Sequence, residues 1–297
     1  MAIAQFVVNG LLVGALFAAV AVGFALIWGV VDIINLAHGE MVMLGGYTAY
    51  WLLSIVTGTA EGSVLLFLAT IPVVVGVLFV VGYALQRTLV SRVIGTDIFL
   101  TLLVTFGISI AIQQLAIQVW TANPRSIQVA FADPSMNLAG LVVPKMKLVA
   151  FAGAIVLTAI LYLFLQRTRT GRAIRAVSQN PDAAALVGID VEHTRAVTFG
   201  ISSAVAGGAG AFIATILNIQ PQMGLIYTLK SFVIVVFGGV GSIPGALTGG
   251  LLLGAVEELT AGLVSSQWTL AVSFTLLIVL LVVKPKGLFG TGADNEH

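Results

Sequence analysis

The sequence contains no cysteine, and only 8% of its 297 residues are charged. The missing cysteines exclude disulfide bonds, thiolate metal sites and a cysteine nucleophile. A soluble protein covers its surface with much more charge than this, whereas 59% of these residues are hydrophobic. The composition therefore predicts a polytopic membrane protein, an all-α transmembrane helical bundle that forms a single transmembrane domain over residues 1–297.

Motifs for catalysis and for nucleotide binding are also missing. The segment Gly239-Val240-Gly241-Ser242 lacks the Gly-Lys-Ser/Thr that completes a phosphate-binding loop, so we expect no ATP site and no bound cofactor on this chain. His38 has no second histidine at helical spacing, which indicates a hydrogen-bonded structural residue and no metal site. We find no Ser–His–Asp arrangement, and the basic residues lack interleaved aromatic residues. We therefore expect neither an enzyme nor a nucleic-acid-binding protein.

Charged residues divide the sequence into eight long charge-free runs. Each run is long enough for a membrane-spanning helix of about 20 residues. No lysine or arginine precedes the first run and no cleavage site is evident, which favours a retained span over a signal peptide. Glu257 and Glu258 separate the last two runs and are expected to form a solvated turn on the outer side. The runs are 1–31, 41–60, 62–86, 98–124, 148–166, 196–229, 231–256 and 259–283.

Nine of the 13 basic residues fall in three places that we assign to the cytoplasm, because loops rich in lysine and arginine stay inside. Three runs lie between the second of these places and the tail, and an odd number cannot return the chain to the same side. One run must therefore break or turn back. We expect about nine segments with the N-terminus outside, or eight with it inside, and the loop 121–147 outside. The three places are Arg87 with Arg92, the five arginines of 166–195, and Lys284 with Lys286.

The predicted break lies in the run 231–256, between Gly238 and Gly245. Three glycines and a Pro-Gly pair make a continuous helix costly, by about 1 kcal/mol per glycine and about 3 kcal/mol for proline. A second interruption follows the first run, where polar residues would be costly in hydrocarbon. Either this second segment lines a solute path, or it packs helices around a polar cluster at headgroup level. The first break is expected to face the protein interior. The candidate path residues are Asn35, His38, Glu40, Gly45, Gly46, Gly238, Gly239, Gly241 and Ser242.

The basic loop 166–195 carries the signals of a short helix over Pro181–Val187. Asn180 is a good N-cap, Pro181 suits the first helical position, and Gly188 suits the residue that follows the helix. Small alanines would let a partner backbone approach closely. The alternative is an ordinary capped cytoplasmic loop. The candidate coupling residues are Arg172, Arg175, Asn180, Pro181, Asp182, Ala183, Ala184 and Gly188.

Four stretches, taken in order, resemble the permease family of the branched-chain amino-acid ABC importers. The spacing Asp182-Ala183-Ala184-x-x-x-Gly188 is similar to the Glu-Ala-Ala-x-x-x-Gly loop by which ABC-importer permeases contact their ATPases. The aspartate replaces a glutamate and keeps its charge. The stretches are Asn9-Gly10-Leu11 with Gly14; Asn35-Leu36-Ala37-His38-Gly39-Glu40-Met41 through Gly45-Gly46-Tyr47; Gly171-Arg172-Ala173-Ile174-Arg175-Ala176 with Asn180-Pro181 and Gly188-Ile189; and Gly238-Gly239-Val240-Gly241-Ser242-Ile243-Pro244-Gly245-Ala246.

The resemblance implies a multi-pass permease subunit of the bacterial inner membrane that moves a hydrophobic or branched-chain amino acid by ATP-driven alternating access. It also implies a second related permease, two cytoplasmic ATPase subunits that bind the ATP, and a periplasmic substrate-binding protein. A permease for urea or short amides is the alternative within the family. An ion-coupled secondary transporter and a structural membrane subunit without a pore are alternatives of other classes.

Overall fold

The computed structural model describes residues 2–131, 133–138, 140–284 and 287, so the predicted position of Lys286 lies outside the described residues. Helices dominate, and eight helical segments of the described chain are long and apolar enough to cross a membrane. The helices are α1 (Ala2–Val31), α2 (His38–Thr57), α3 (Val64–Thr88), α4 (Ile98–Trp120), α5 (Lys145–Arg167), α6 (Arg169–Gln179), α7 (Pro181–Leu186), α8 (Val191–Ile213), α9 (Gly224–Gly238), α10 (Ile243–Leu263) and α11 (Thr269–Val283). These observations confirm the all-α polytopic prediction.

Polar caps fix where several long helices begin. The side chains of Ser63, Asp97, Asp190 and Ser242 each accept a hydrogen bond from a backbone N–H in the first turn of α3, α4, α8 and α10. Each bond satisfies one of the backbone donors that a helix N-terminus leaves without a partner. The starts of these helices are therefore set locally, by the residue that immediately precedes each helix.

The bundle has two distinct ends. At one end, the strand end, β1 (Glu61–Ser63) pairs in parallel with β2 (Gln128–Ala130), and β3 (Ser135–Leu138) forms a hairpin with β4 (Leu141–Pro144). The side chain of Gln5 bonds the backbone of Val142 there, so α1 starts at this end. The N-terminus and the loop 121–144 therefore lie on the same side of the bundle.

The opposite end, the basic end, carries the arginine-rich segments. Arg87 and Glu192 approach to 3.6 Å, which places the end of α3 next to the start of α8. Gly287 lies against Gly239 at the end of α9, so the tail is at this end too. The three places predicted to share one side of the membrane thus lie together at one end of the molecule.

Two breaks divide the second half of the chain. The predicted one is confirmed, because α9 ends at Gly238 and α10 begins at Ile243. The run 196–229, however, is not a single span as expected: α8 ends at Ile213, and α9 starts only at Gly224 after the irregular segment 214–223. Four helices, α8 to α11, therefore follow the basic loop, and this even number returns the tail to the basic end.

The two halves of the bundle repeat each other with opposite direction. The most extensive helix contacts are those of α1 with α10 and of α3 with α8, and α2 packs on α8 as α9 packs on α1. These contacts form matching pairs if α1, α2, α3 and α4 correspond in order to α8, α9, α10 and α11. The contact of α1 with α10 then matches that of α8 with α3, and the contact of α2 with α8 matches that of α9 with α1. Because α1 runs from the strand end to the basic end and α8 runs back, the repeat is inverted. Inverted repeats with interrupted helices are typical of membrane transporters.

Small residues allow the central helices to approach closely. A Cβ atom added to Gly10 would lie 2.6 Å from the carbonyl oxygen of Gly254, and one added to Gly14 would lie 2.7 Å from that of Gly250. Lipid supplies no hydrophobic force to join helices, so close van der Waals packing of this kind must hold α1 to α10. The small residues of α1 therefore face α10.

Candidate functional site

The first candidate site lies where α2 begins, deep in the bundle. After α1 ends, the segment 32–37 turns back into the protein, and α2 starts beside the middle of α1. Asn35 is buried and its side-chain oxygen accepts a hydrogen bond from the N–H of Ala37 at 3.0 Å. The N–H of Gly39 donates to Thr228 of α9 at 2.8 Å. Side chains from this segment and from α9 thus accept hydrogen bonds from backbone N–H groups at the start of α2.

Glu40 joins the two interrupted helices at the centre of the protein. Its carboxylate accepts a hydrogen bond from Ser109 of α4 at 2.8 Å and packs against Gly224, the first residue of α9. The side chain is 1% exposed, and its second carboxylate oxygen has no hydrogen-bond partner among the described residues. Both helices therefore direct their positive N-terminal ends toward a buried acidic group, an arrangement that stabilises negative charge.

His38 lies at the same depth and is fully buried. Its Nε2 is 2.9 Å from the carbonyl oxygen of Val20, and its ring meets the edge of Phe24. Since Val20 lies in the middle of α1, this contact holds the start of α2 at that level. The placement agrees with the expected hydrogen-bonded structural role.

Gly45 and Gly46 lie one to two turns further along α2, at its crossing with α8. A Cβ atom on Gly45 would collide with the backbone of Gly207, and one on Gly46 would lie 2.8 Å from the Ile219 side chain. Both positions therefore need glycine for close packing of α2. Their predicted place on a solute path stays a prediction.

The second group of candidate path residues forms the turn between α9 and α10, at the basic end. Gly239 and Gly241 have φ angles of 99° and 77°, which favour glycine, and Ser242 caps α10. This turn is about 22 Å from the start of α9, the length of its 15 residues. The structure therefore does not bring the two groups of predicted path residues together.

A pocket of about 440 Å³ connects this turn to the basic loop. Gly241 and Ser242 form one wall, and Arg175 with Gln179 of α6 form the other. Arg175 donates hydrogen bonds to the backbone of Leu165 and to a side chain at the end of α5. One predicted coupling residue and two predicted path residues thus share a single cavity.

The short helix of the basic loop forms as expected, although it ends at Leu186, one residue earlier. The side chain of Asn180 accepts a bond from the N–H of Ala183 at 2.9 Å, and Pro181 occupies the first turn. Gly188 has φ 85°, and the N–H of Ile189 bonds the carbonyl of Ala184 at 3.0 Å, which completes a Schellman closure. Local sequence alone therefore sets both ends of α7.

The surface of α7 differs from the predicted low, alanine-covered one. Ala184 is buried against the protein, whereas Leu186 and Val187 are 89% and 77% exposed. Two large apolar side chains thus project from the basic end beside α6, whose arginines include Arg172. Contiguous exposed apolar groups with a polar rim indicate a contact surface for another molecule.

A buried ion pair in the second half was not anticipated. Lys230 of α9 contacts Glu257 of α10 at 2.6 Å, and Ser273 of α11 donates to the same carboxylate at 3.0 Å. The expected solvated turn at Glu257 and Glu258 is therefore wrong, because both residues lie inside α10 and Glu257 is 7% exposed. Division of the sequence at its charged residues therefore places run boundaries inside α9, at Lys230, and inside α10, at Glu257.

Sequence reasoning also missed the polar residues of α4. Thr101, Thr105 and Ser109 are buried at intervals of four and form one stripe on the helix. Thr105 accepts a hydrogen bond from the N–H of Leu36 at 3.2 Å, and Ser109 binds Glu40. The four-residue spacing was the available signal, since it places all three side chains on one face.

An inverted repeat, two interrupted helices that meet at the centre and an apolar contact surface on a basic loop together define a membrane transport protein. Comparison with known proteins agrees with this class. A family model described as "Branched-chain amino acid transport system / permease component" matches residues 6–281. The chain therefore belongs to this permease family.

Relatives align along nearly the whole chain. The high-affinity branched-chain amino acid transport system permease protein BraD of Pseudomonas aeruginosa is 33% identical, over 96% of this chain and 95% of its own length. The corresponding permease protein LivH of Escherichia coli is 30% identical, over 95% and 94%. A probable branched-chain amino acid permease of Methanocaldococcus jannaschii is 28% identical, over 92% and 88%.

Proposed function

We propose that this chain is the inner-membrane permease subunit of an ABC importer and that it translocates branched-chain or other hydrophobic amino acids by alternating access. The basic end faces the cytoplasm, as its arginine content favours. The chain itself binds no nucleotide. It works with a second related permease, two ATPase subunits that bind ATP, and a periplasmic substrate-binding protein.

The observation that carries this proposal is the exposed apolar tip of α7. Leu186 and Val187 are mostly exposed at the end of a helix whose cap and closure hold it in one conformation. Burial of one such side chain contributes about 1.5–3 kcal/mol. A rigid knob of this kind suits a groove on a cytoplasmic subunit that moves when it hydrolyses ATP.

A series of packed helices leads from this tip to the centre of the bundle. α7 packs on α6 and α8, and α6 packs on α1, which packs on α9. α6 also lines a pocket that the turn 239–242 lines on its other side. That turn begins where α9 ends, and the other end of α9 contacts Glu40 and the start of α2. Because a helix is stiff along its axis, displacement of α6 is transmitted by α9 to the contact between the two interrupted helices.

The substrate class rests on the relatives, whose names specify branched-chain amino acids. In such importers the binding protein selects the solute, so urea or a short amide remains the alternative substrate within the family. The buried Glu40 and the pair Lys230–Glu257 are intramembrane ionisable groups, which is the feature expected of an ion-coupled transporter. The energy source must therefore be tested directly.

The test measures uptake of radiolabelled leucine, valine and urea into proteoliposomes that contain the reconstituted assembly. We expect leucine and valine uptake to require ATP and the binding protein and to be unaffected by an uncoupler. Uptake that persists without ATP and stops with the uncoupler would overturn the ABC assignment. Uptake of urea alone would overturn the substrate assignment and leave the ABC assignment intact.

The orientation has its own test. A cysteine-free chain allows single cysteines to be introduced without background labelling. Arg172→Cys at the basic end should react with an impermeant maleimide only after the membrane is opened, whereas Gln128→Cys at the strand end should react in intact cells. The reverse pattern would place α7 where no cytoplasmic ATPase could reach it.

A further inference from the structure

A second cavity lies among α1, α9, α10 and the first residues of α5 and α11. Its volume is about 260 Å³. Lys147 near the start of α5 and Thr269 at the start of α11 belong to its lining, so the cavity lies toward the strand end. Under the proposed function this is the side on which a binding protein releases its solute.

The cavity lining is both ionic and apolar. Two lysines and two glutamates line it together with the aliphatic or aromatic side chains of α1 and of the segment after α8. The formal charges of the four ionisable side chains cancel. An apolar solute would gain nothing from such groups, and a solute with a net charge would face two lining groups of the same charge as its own. The charged lining residues are Lys147, Lys230, Glu257 and Glu258, and the apolar ones include Val13, Phe17, Ile216, Leu217 and Ala261.

The two ion pairs in this lining differ in tightness. Lys230 and Glu257 are 2.6 Å apart, with side chains 14% and 8% exposed, and Ser273 holds the carboxylate from the other side. The Lys230 ammonium also lies 4.2 Å from the ring centroid of Phe17. This pair is fully engaged and forms a fixed part of the cavity wall.

Lys147 and Glu258 form the looser pair. Their charged atoms are 3.6 Å apart, and their side chains are 19% and 30% exposed. At 3.6 Å the two charged groups form no direct hydrogen bond, and both border the cavity, so each can take a ligand group as a closer partner. An ammonium group on a ligand would replace Lys147 at Glu258, and a carboxylate group on the same ligand would replace Glu258 at Lys147.

We infer that this cavity is a transient binding site for a free zwitterionic amino acid with an aliphatic side chain. Glu258 accepts hydrogen bonds from the α-ammonium group, and Lys147 donates to the α-carboxylate. The aliphatic side chain packs against Phe17 and Leu217. This inference rests on the proposed function for the direction of transport, but the site is defined by its own charges and shape.

The first test measures binding directly. The permease assembly, without the binding protein, is placed in phosphatidylcholine nanodiscs, and leucine binding is followed by saturation-transfer NMR. Leucine should bind and valine should compete. The analogues 3-methylbutylamine and 4-methylpentanoate each lack one of the two charges and should compete at least about 10-fold less well, the loss expected for one charge-assisted hydrogen bond.

The phosphatidylethanolamine headgroup has similar chemistry, because it carries a phosphate and a primary ammonium, whereas the quaternary ammonium of phosphatidylcholine has no N–H to donate to Glu258. Nanodiscs that contain phosphatidylethanolamine therefore form a second arm. Leucine binding in phosphatidylcholine is required in either case. If leucine does not bind there, the amino-acid assignment is wrong. If leucine binds in phosphatidylcholine and phosphatidylethanolamine reduces this binding, the headgroup competes for the same charged groups, and the result supports the amino-acid site.

The second test separates a ligand site from a structural ion pair. The double variant Lys147→Glu/Glu258→Lys keeps opposite charges at the same two positions but reverses them. We expect correct assembly and a 10- to 100-fold lower kcat/KM for leucine uptake, because charge-assisted bonds to an oriented ligand are lost. The matched control is Arg87→Glu/Glu192→Arg, a pair with the same 3.6 Å separation at the basic end, which should keep normal uptake.

The outcomes separate the proposed function from the cavity assignment. Failure of the wild-type assembly to import leucine would overturn the proposed function. Normal leucine import by both the wild type and the reversed Lys147 and Glu258 variant would overturn the cavity assignment and leave the proposed function intact.

Discussion

Replacing Leu186 by alanine is the sharpest test of the contact surface on α7. The side chain is 89% exposed in this chain, so its removal should not change the stability of the permease itself. In the assembly the same side chain is expected to be buried by an ATPase subunit. Leucine to alanine removes roughly three carbon groups at about 0.8 kcal/mol each, and incomplete burial lowers the total to about 2 kcal/mol. This corresponds to about 30-fold weaker binding.

Binding is measured by biolayer interferometry, with the permease pair fixed in nanodiscs and the ATPase subunits titrated. Leu65→Ala is the matched control, because Leu65 is 80% exposed but lies at the strand end, near the start of α3. It should bind ATPase subunits as the wild type does. Thermal unfolding of both variants should match the wild type. Equal ATPase affinity for Leu186→Ala and the wild type would refute the reasoning.

Three further substitutions test other parts of the structure. Gly188→Val places a branched residue at φ 85° at a cost of about 1–2 kcal/mol, so ATP hydrolysis per imported leucine should rise, whereas Gly188→Asn tolerates that conformation and should behave normally; equal coupling ratios would contradict the role of the helix closure. Ser109→Ala leaves the buried Glu40 carboxylate without this donor and should lower unfolding stability by about 1.5–3 kcal/mol in thermal or denaturant melts; an unchanged melt would remove Ser109 as its partner. Gly45→Leu should prevent folding because any Cβ collides with the backbone of α8, whereas Gly107→Leu, with open space around it, should yield normal amounts of monodisperse protein; equal yields would show that the α2–α8 crossing is less tight than described.

Local signals in the sequence predicted the short helix of the basic loop well. Asn180, Pro181 and Gly188 act on backbone groups within a few residues, so α7 needs no distant contact to begin and end where it does. The break after Gly238 was predictable for the same reason. The break after Ile213 was missed because the run 196–229 contains no charge and its one proline, Pro221, lies near its end.

The inverted repeat and the central contact between α2 and α9 could not be predicted from the sequence. Glu40 and Gly224 are far apart along the chain, and nothing near either residue specifies the other. In the sequence, Lys230 and Glu257 predict boundaries between spans, because an isolated charge in hydrocarbon is costly. In the folded bundle each cancels the charge of the other, and Ser273 completes their hydrogen bonding, so both fit inside helices.

The sequence by itself determined the membrane class, the clustering of basic residues and the helix ends set by caps, glycine and proline. These properties depend on composition and on interactions between neighbours in the chain. Only the tertiary structure decided which helices start inside the bundle, which charges pair and where the pocket beside α6 and the ionic cavity form. Those outcomes depend on contacts between distant segments, and the free energy of a buried charge or a close glycine crossing is fixed only when its partner is in place.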